Sequence, residues 1–275
     1  MLASRPQSAP LGARVIDVVV TLACWIYFIF GFLFFFSFLY LLAFVFATKR
    51  EYAFQRLNHL FFKGFLGLLR ILSPRQEWDI DQKIRDIKSS IVICNHLSYL
   101  DPLILLSLLR RQKTIVKASF FKAPVFGWLI KTSGYLPAST EGAHGRRMIE
   151  EMETMGDFLG SGGNLFVFPE GTRSRDGNIG PLQKGVFKIA RMYRCPLYVL
   201  GLSGTDKLFT PGKFLFNTRQ ENSIRVTILD RLEPEPESGP VSIIDLEKKV
   251  RQIFRAQHNS CGRETKGCLQ RERVL

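Results

Sequence analysis

The sequence predicts an α/β fold: a mixed, largely parallel sheet flanked by helices, preceded by an N-terminal membrane helix or helical hairpin. Three observations carry this reading. Short apolar runs rich in β-branched residues alternate with longer segments of helical periodicity. One such run, Ile91-Val92-Ile93-Cys94, ends on Asn95 and His96 with Asp101 five positions further on, and strand ends of this kind are where open α/β sheets place their ligands. Finally, no charged residue occurs from Val18 to Ala47.

The composition narrows the class. The 275-residue chain carries a formal net charge of +14, which suits a partner rich in negative charge, either nucleic acid or anionic lipid. It holds 24 Phe against 3 Trp, and the excess Phe sits near the N-terminus. Cys24, Cys94, Cys195, Cys261 and Cys268 form no CxxC pair and are odd in number, so neither a zinc site nor a disulfide framework is expected.

Taken in order, residues 1–14 read as a tail and 15–48 as the membrane segment. A helix through Val18–Ala47 would be about 45 Å long at ~1.5 Å per residue, more than the ~30 Å bilayer core requires. A tilted single span and a shallow hairpin bent near Gly31 both satisfy that length. Lys49, Arg50, Arg56, Lys63 and Arg70 follow the run and only Arg5 and Arg14 precede it, so the positive-inside rule puts the bulk of the chain on the cytoplasmic face. Residues 49–74 read as an amphipathic interfacial helix, with packing against the soluble domain as the plainer alternative.

Residues 75–257 hold the α/β domain. A short strand is expected at Trp78-Asp79-Ile80. The strand Ile91–Cys94 follows, and a helix then begins with Asp101 as N-cap and Pro102 at its first position. Further strands are expected at Thr114–Lys117, Gly134–Pro137, Asn164–Phe168, Pro196–Leu202 and Ile224–Leu229. The helices between and after them fall at Phe120–Thr132, Gly145–Gly160, Lys184–Tyr193 and Ile243–Phe254. Residues 258–275 read as a flexible basic tail.

Two stretches carry the chemistry. An imidazole held by a carboxylate can take a proton from a hydroxyl at neutral pH, so His96 with Asp101 forms the base–orienter half of a triad without needing a Ser or Cys nucleophile. Taken alone, the pair is better explained as a helix cap beside a chance histidine. The second stretch, Phe168-Pro169-Glu170-Gly171-Thr172-Arg173-Ser174, offers a glycine that lets backbone N–H groups approach an anion and an Arg fork that matches phosphate.

Together these stretches resemble the glycerolipid acyltransferase family, whose signatures are NHxxxxD and FPEGTRS. Asn95–Asp101 fits the first and Phe168–Ser174 the second. Lys117 with Pro124, Phe126, Gly127 and Trp128, and Leu182–Gly185 with Ala190, are similar to the family's connecting segments, so the likeness runs from Ile91 to Leu202. The resemblance implies an acyltransferase that moves a fatty acyl group from acyl-CoA or acyl-carrier protein to the free hydroxyl of lysophosphatidic acid. It implies His96 as general base, Asp101 as its orienter, and an acceptor site drawn from Asn95, Lys117, Glu170, Gly171, Thr172 and Arg173. It implies no metal and no bound cofactor, and partners that are membrane lipids and the acyl carrier; no nucleic acid is expected. Two departures stand out. Gly134-Tyr135-Leu136-Pro137-Ala138-Ser139 lacks the Arg that the family places there, and Pro196–Leu200 holds one proline where two are usual. Another lyso-lipid, or an amino-acid lipid without phosphate, therefore remains an alternative acceptor. A non-catalytic lipid-binding protein is the alternative from a different class.

Overall fold

The computed structural model describes residues 11–139, 141–173, 179–234, 239 and 241–271. Helix α1 (Leu11–Ile26) passes through a π-helical stretch, Tyr27–Phe36, into α2 (Ser37–Phe46) without a break. The chain does not fold back at Gly31. It reverses at Ala47–Lys49, and α3 (Arg50–Leu72) returns along the first helix. Aromatic contacts mark the seam: Tyr27 and Phe36 pack on Phe61, and Tyr40 packs on Phe54. The stretch Arg14–Phe46 is one helix long and apolar enough to cross a membrane. Its outer face leaves Phe34, Phe35 and Phe46 more than 70% exposed. Helix α3 buries Phe54, Phe62, Phe65 and Leu69, so the segment read as interfacial is in large part packed against its neighbours.

After β1 (Gln76–Ile80) comes β2 (Ser90–Cys94), buried along its whole length. Then follow α4 (Leu100–Leu108), β3 (Gln112–Val116), α5 (Pro124–Thr132) and β4 (Leu136–Pro137). The expected helix over 145–160 begins at Gly142 and is broken at Thr154 into α6 (Gly142–Glu153) and α7 (Met155–Gly160). Beyond it lie β5 (Asn164–Val167), α8 (Gly185–Met192), β6 (Leu197–Ser203), α9 (Thr205–Leu208) and β7 (Asn222–Leu232). Helix α10 (Ile243–Arg271) continues well past Phe254, over much of the stretch that the sequence alone assigns to a tail.

The seven strands form one sheet in the order β1-β7-β6-β2-β5-β3-β4. Every neighbouring pair is parallel except β6 and β7. Side chains alternate between faces at a period of two. Val92, Cys94, Phe166, Leu200 and Leu202 therefore join a core with α3 and α4, whereas Ile91, Ile93, Leu165 and Val199 join a second core with α7, α8 and α10. The parallel direction brings the carboxyl ends of β2, β3, β4, β5 and β6 to one edge, where both signature stretches begin.

Polar contacts tie the N-terminal helix to this domain at both ends. Asp17 accepts from the Thr218 N–H (2.9 Å) and hydroxyl (2.6 Å), and the Thr21 hydroxyl accepts from the Phe216 N–H at 3.0 Å. Further along, the Tyr40 hydroxyl donates to Asn58 Oδ1 at 2.5 Å, and Asn58 Nδ2 donates to the hydroxyls of Ser133 (2.9 Å) and Tyr135 (3.0 Å).

Candidate active site

Strand β2 delivers Asn95 and His96. The Asn95 side chain donates to the Leu202 carbonyl (2.9 Å) and accepts from the Leu202 N–H (2.7 Å), continuing the β2–β6 pairing by one side chain. With both ends of its amide engaged and 6% exposure, Asn95 holds the loop at the end of β2.

His96 Nδ1 lies 2.9 Å from Asp101 Oδ2. That same oxygen accepts from the N–H groups of Leu97 (2.6 Å) and Ser98 (2.7 Å), and Oδ1 accepts from the Thr205 hydroxyl (2.6 Å). Asp101 is fully buried, in the first turn of α4. It is therefore not the cap expected from sequence: its carboxylate reaches back to the loop before the helix, and the Ser98 hydroxyl instead accepts from the Leu100 N–H at 3.3 Å. An acceptor facing Nδ1 requires that Nδ1 carry the proton, so in neutral His96 the lone pair sits on Nε2. The ring is further held against Phe168, stacked at 4.2 Å between centroids and 24° between planes. It remains 17% exposed.

Neighbouring β5 delivers the second stretch, in register with β2 at Ile93 and Val167. Gly171 has φ +69°, and a Cβ there would collide with the Gln183 side chain, so the turn requires glycine. Glu170 accepts from the Gly180 N–H at 3.0 Å and, more weakly, from the His96 N–H at 3.4 Å. Its carboxylate thus couples the two loops. Arg173 lies elsewhere, its guanidinium carbon 3.6 Å above the centre of the Tyr99 ring. Thr172 is exposed on the loop, and Ser174 lies outside the described residues. Lys117 is exposed just beyond β3, two strands from β2 and so about 10 Å across the sheet.

In the sequence, residues 138–145 after β4 hold no Lys or Arg, and the next cation, Arg146, is exposed on α6. The neighbouring Arg147 donates to the Lys131 carbonyl and pairs with Glu151 at 3.0 Å. Cys94 is no rival nucleophile: burial, and then the charges of Asp101 and Glu170, push its thiol well above the usual range and keep it protonated. Beside the site, an apolar groove of about 350 Å³ runs between α1, α3, α4 and the 209–216 loop, lined in part by Trp25, Phe28, Tyr99, Leu103 and Phe209.

Two contributors escape sequence reasoning. Thr205 follows a strand that is distant in the chain and touches Asp101 only because β6 lies beside β2; Gly204, at φ +78° and too close to the Ser223 carbonyl for a Cβ, makes that turn. Tyr99 had a signal, since it falls between His96 and Asp101, but its partner is visible only in three dimensions.

Residues 77–203 match the family model described as Acyltransferase. A chloroplastic 1-acyl-sn-glycerol-3-phosphate acyltransferase of Brassica napus is 36% identical over 143 residues, which are 50% of this chain and 41% of the relative. One of Arabidopsis thaliana is 33% identical over 123 residues, 45% of this chain and 34% of the relative. The chain thus spans well under half the length of these relatives. The crystal structure of the 1-acyl-sn-glycerophosphate acyltransferase PlsC of Thermotoga maritima superposes with a TM-score of 0.69, covering 91% of this chain and 98% of that one. At 21% identity this likeness speaks for the fold.

Proposed function

We propose that the protein transfers a fatty acyl group from a thioester, acyl-CoA or acyl-carrier protein, to the free hydroxyl of lysophosphatidic acid, giving phosphatidic acid. The observation that carries the reading is the His96–Asp101 contact, which leaves Nε2 as a base on the sheet edge beside the Glu170–Arg173 loop. Nε2 takes the proton of the acceptor hydroxyl as its oxygen attacks the thioester carbonyl carbon. The tetrahedral intermediate collapses with cleavage of the C–S bond, and the departing thiolate takes the proton back from His96. Asp101 holds the tautomer throughout and stabilises the transient imidazolium. Arg173 is the group for the acceptor phosphate, with Lys117 as a more distant cation. Gly171 and Thr172 shape the loop that presents Arg173.

A second acceptor class is favoured by one observation: residues 138–145 after β4 hold no Lys or Arg, so a lyso-lipid with less headgroup charge would lose less here. Purified protein given acyl-CoA or acyl-carrier protein with a panel of lyso-lipids separates the two. Lysophosphatidic acid ranking first supports the main reading, and its ranking last replaces it with the second.

The reading of a membrane-bound enzyme with its domain on the cytoplasmic face is supported by the exposed aromatic face of the first helix and the cations that follow it. Asp17 contacts the α/β domain directly, and Tyr40, about 35 Å further along the helix at ~1.5 Å per residue, reaches it through Asn58 of α3. Both ends of the helix thus stay with the domain. This favours a helix lying in the membrane face nearest the domain over one that crosses the bilayer away from it.

A further inference from the structure

The geometry points to Tyr99 as a positioning residue for Arg173, and through it as a determinant of which acceptor headgroup is selected; the inference rests on Arg173 meeting the acceptor phosphate. A tyrosine beside an apolar groove could merely line it, but three observations go further. The guanidinium carbon stands 3.6 Å from the ring centre, in van der Waals contact with the face of the ring. Arg173 Nη1 is buried and has no hydrogen-bond partner among the described residues. Tyr99 also packs on Phe209, at 5.9 Å between ring centres, which packs on Phe216 at 4.5 Å.

A stacked guanidinium is attracted through its face, so its N–H donors, which lie in its own plane, stay free. Tyr99 can therefore hold Arg173 in one orientation without consuming the donors that a phosphate monoester needs. The stage is rigid because Tyr99 lies between His96 and Asp101, where the loop is fixed by the Leu97 and Ser98 bonds to Asp101. It matters more in this chain than it would beside a second cation. Arg147 is committed to Glu151, Arg146 stands exposed on α6 beyond the eight residues that follow β4, and Lys117 stands two strands away. With charge in short supply at the end of β4, fixing the orientation of one Arg is the remaining way to favour a phosphate.

Tyr99→Leu and Tyr99→Phe separate this from a lining role. Equilibrium binding of lysophosphatidic acid and of the monoacylglycerol with the same chain is measured in detergent without acyl donor, and acceptor KM and kcat are measured alongside. Tyr99→Leu should weaken lysophosphatidic acid binding about 5- to 30-fold, the worth of one partly desolvated cation–π contact. Monoacylglycerol binding should change less than about twofold, and the loss in turnover should fall on KM and not on kcat. Tyr99→Phe, which keeps the ring face, should restore affinity to within about threefold. Equal losses for both lipids in Tyr99→Leu, unchanged lysophosphatidic acid affinity, or a Phe variant as poor as the Leu variant would overturn the assignment. Wild-type protein that binds lysophosphatidic acid with this ratio but transfers no acyl group would leave the Tyr99 role standing and remove the proposed function.

Discussion

Asp101 is the residue on which the site turns, because its two oxygens accept four hydrogen bonds from two distant parts of the chain, residues 96–98 and Thr205. Asp101→Asn separates its charge from its geometry. An amide oxygen can replace Oδ2, and the amide nitrogen can face the Thr205 hydroxyl, which can accept as well as donate. The expected result is a near-native melting temperature with kcat reduced about 10²- to 10⁴-fold, since the orienting contact survives and the charge that stabilises the imidazolium does not. Thr205→Val should act the other way, costing about 1.5–3 kcal/mol in denaturant unfolding by removing a hydrogen bond to a charged group. Much at this scale is legible in the sequence. His96, Asp101, Glu170 and Arg173 announce themselves by type and spacing. Their partners do not: the contacts of Thr205 with Asp101, of Tyr99 with Arg173 and of Asn95 with Leu202 depend on which strands are neighbours, and no local pattern encodes that.

At the scale of elements, the N-terminal helix and α3 form a hairpin that shares polar contacts with the sheet domain. Asn58 uses its amide on three hydroxyls, those of Tyr40, Ser133 and Tyr135. Asn58→Leu leaves buried hydroxyls unpaired, and a loss of at least about 1–3 kcal/mol is expected in detergent-solubilised protein. His59, also on α3, points Nδ1 at the Leu106 carbonyl, 3.1 Å away. Burial, reinforced by Lys63, Arg110 and Arg85, holds its pKa below the ordinary 6.5. The unfolded chain therefore binds the proton more readily than the folded one below about pH 6.5, and stability should fall as pH drops through that value. His59→Asn should flatten the decline in melting temperature between pH 6.5 and 5; an unchanged slope would remove His59 as its cause. The periodicity of α3 announced a helix, but a broad apolar face fits a membrane surface and a protein surface equally well. The turn at Ala47–Lys49 in place of Gly31 was hidden for a related reason: a glycine is tolerated inside a helix whose neighbours pack around it.

For the whole molecule, strand–helix alternation sufficed to indicate an α/β sheet domain, because buried parallel strands read as short apolar runs. Strand order was not available, since β6 and β7 pair antiparallel only through tertiary contacts. The large exposed apolar face on the first helix makes a further demand. Replacing Phe34, Phe35 and Phe46 by Ser should shift the protein from a fraction released only by detergent toward one released by alkaline carbonate, as seen by sedimentation. In the proposed function, His96 is the base that a lipid hydroxyl reaches at this edge of the sheet. The most direct test is the rate of phosphatidic acid formation by purified His96→Ala against wild type, with acyl donor and lysophosphatidic acid, alongside circular dichroism of both. The account predicts product with matching thiol release from wild type, and a loss of about 10²- to 10⁴-fold in a folded variant. A folded His96→Ala protein that turns over at the wild-type rate would contradict it.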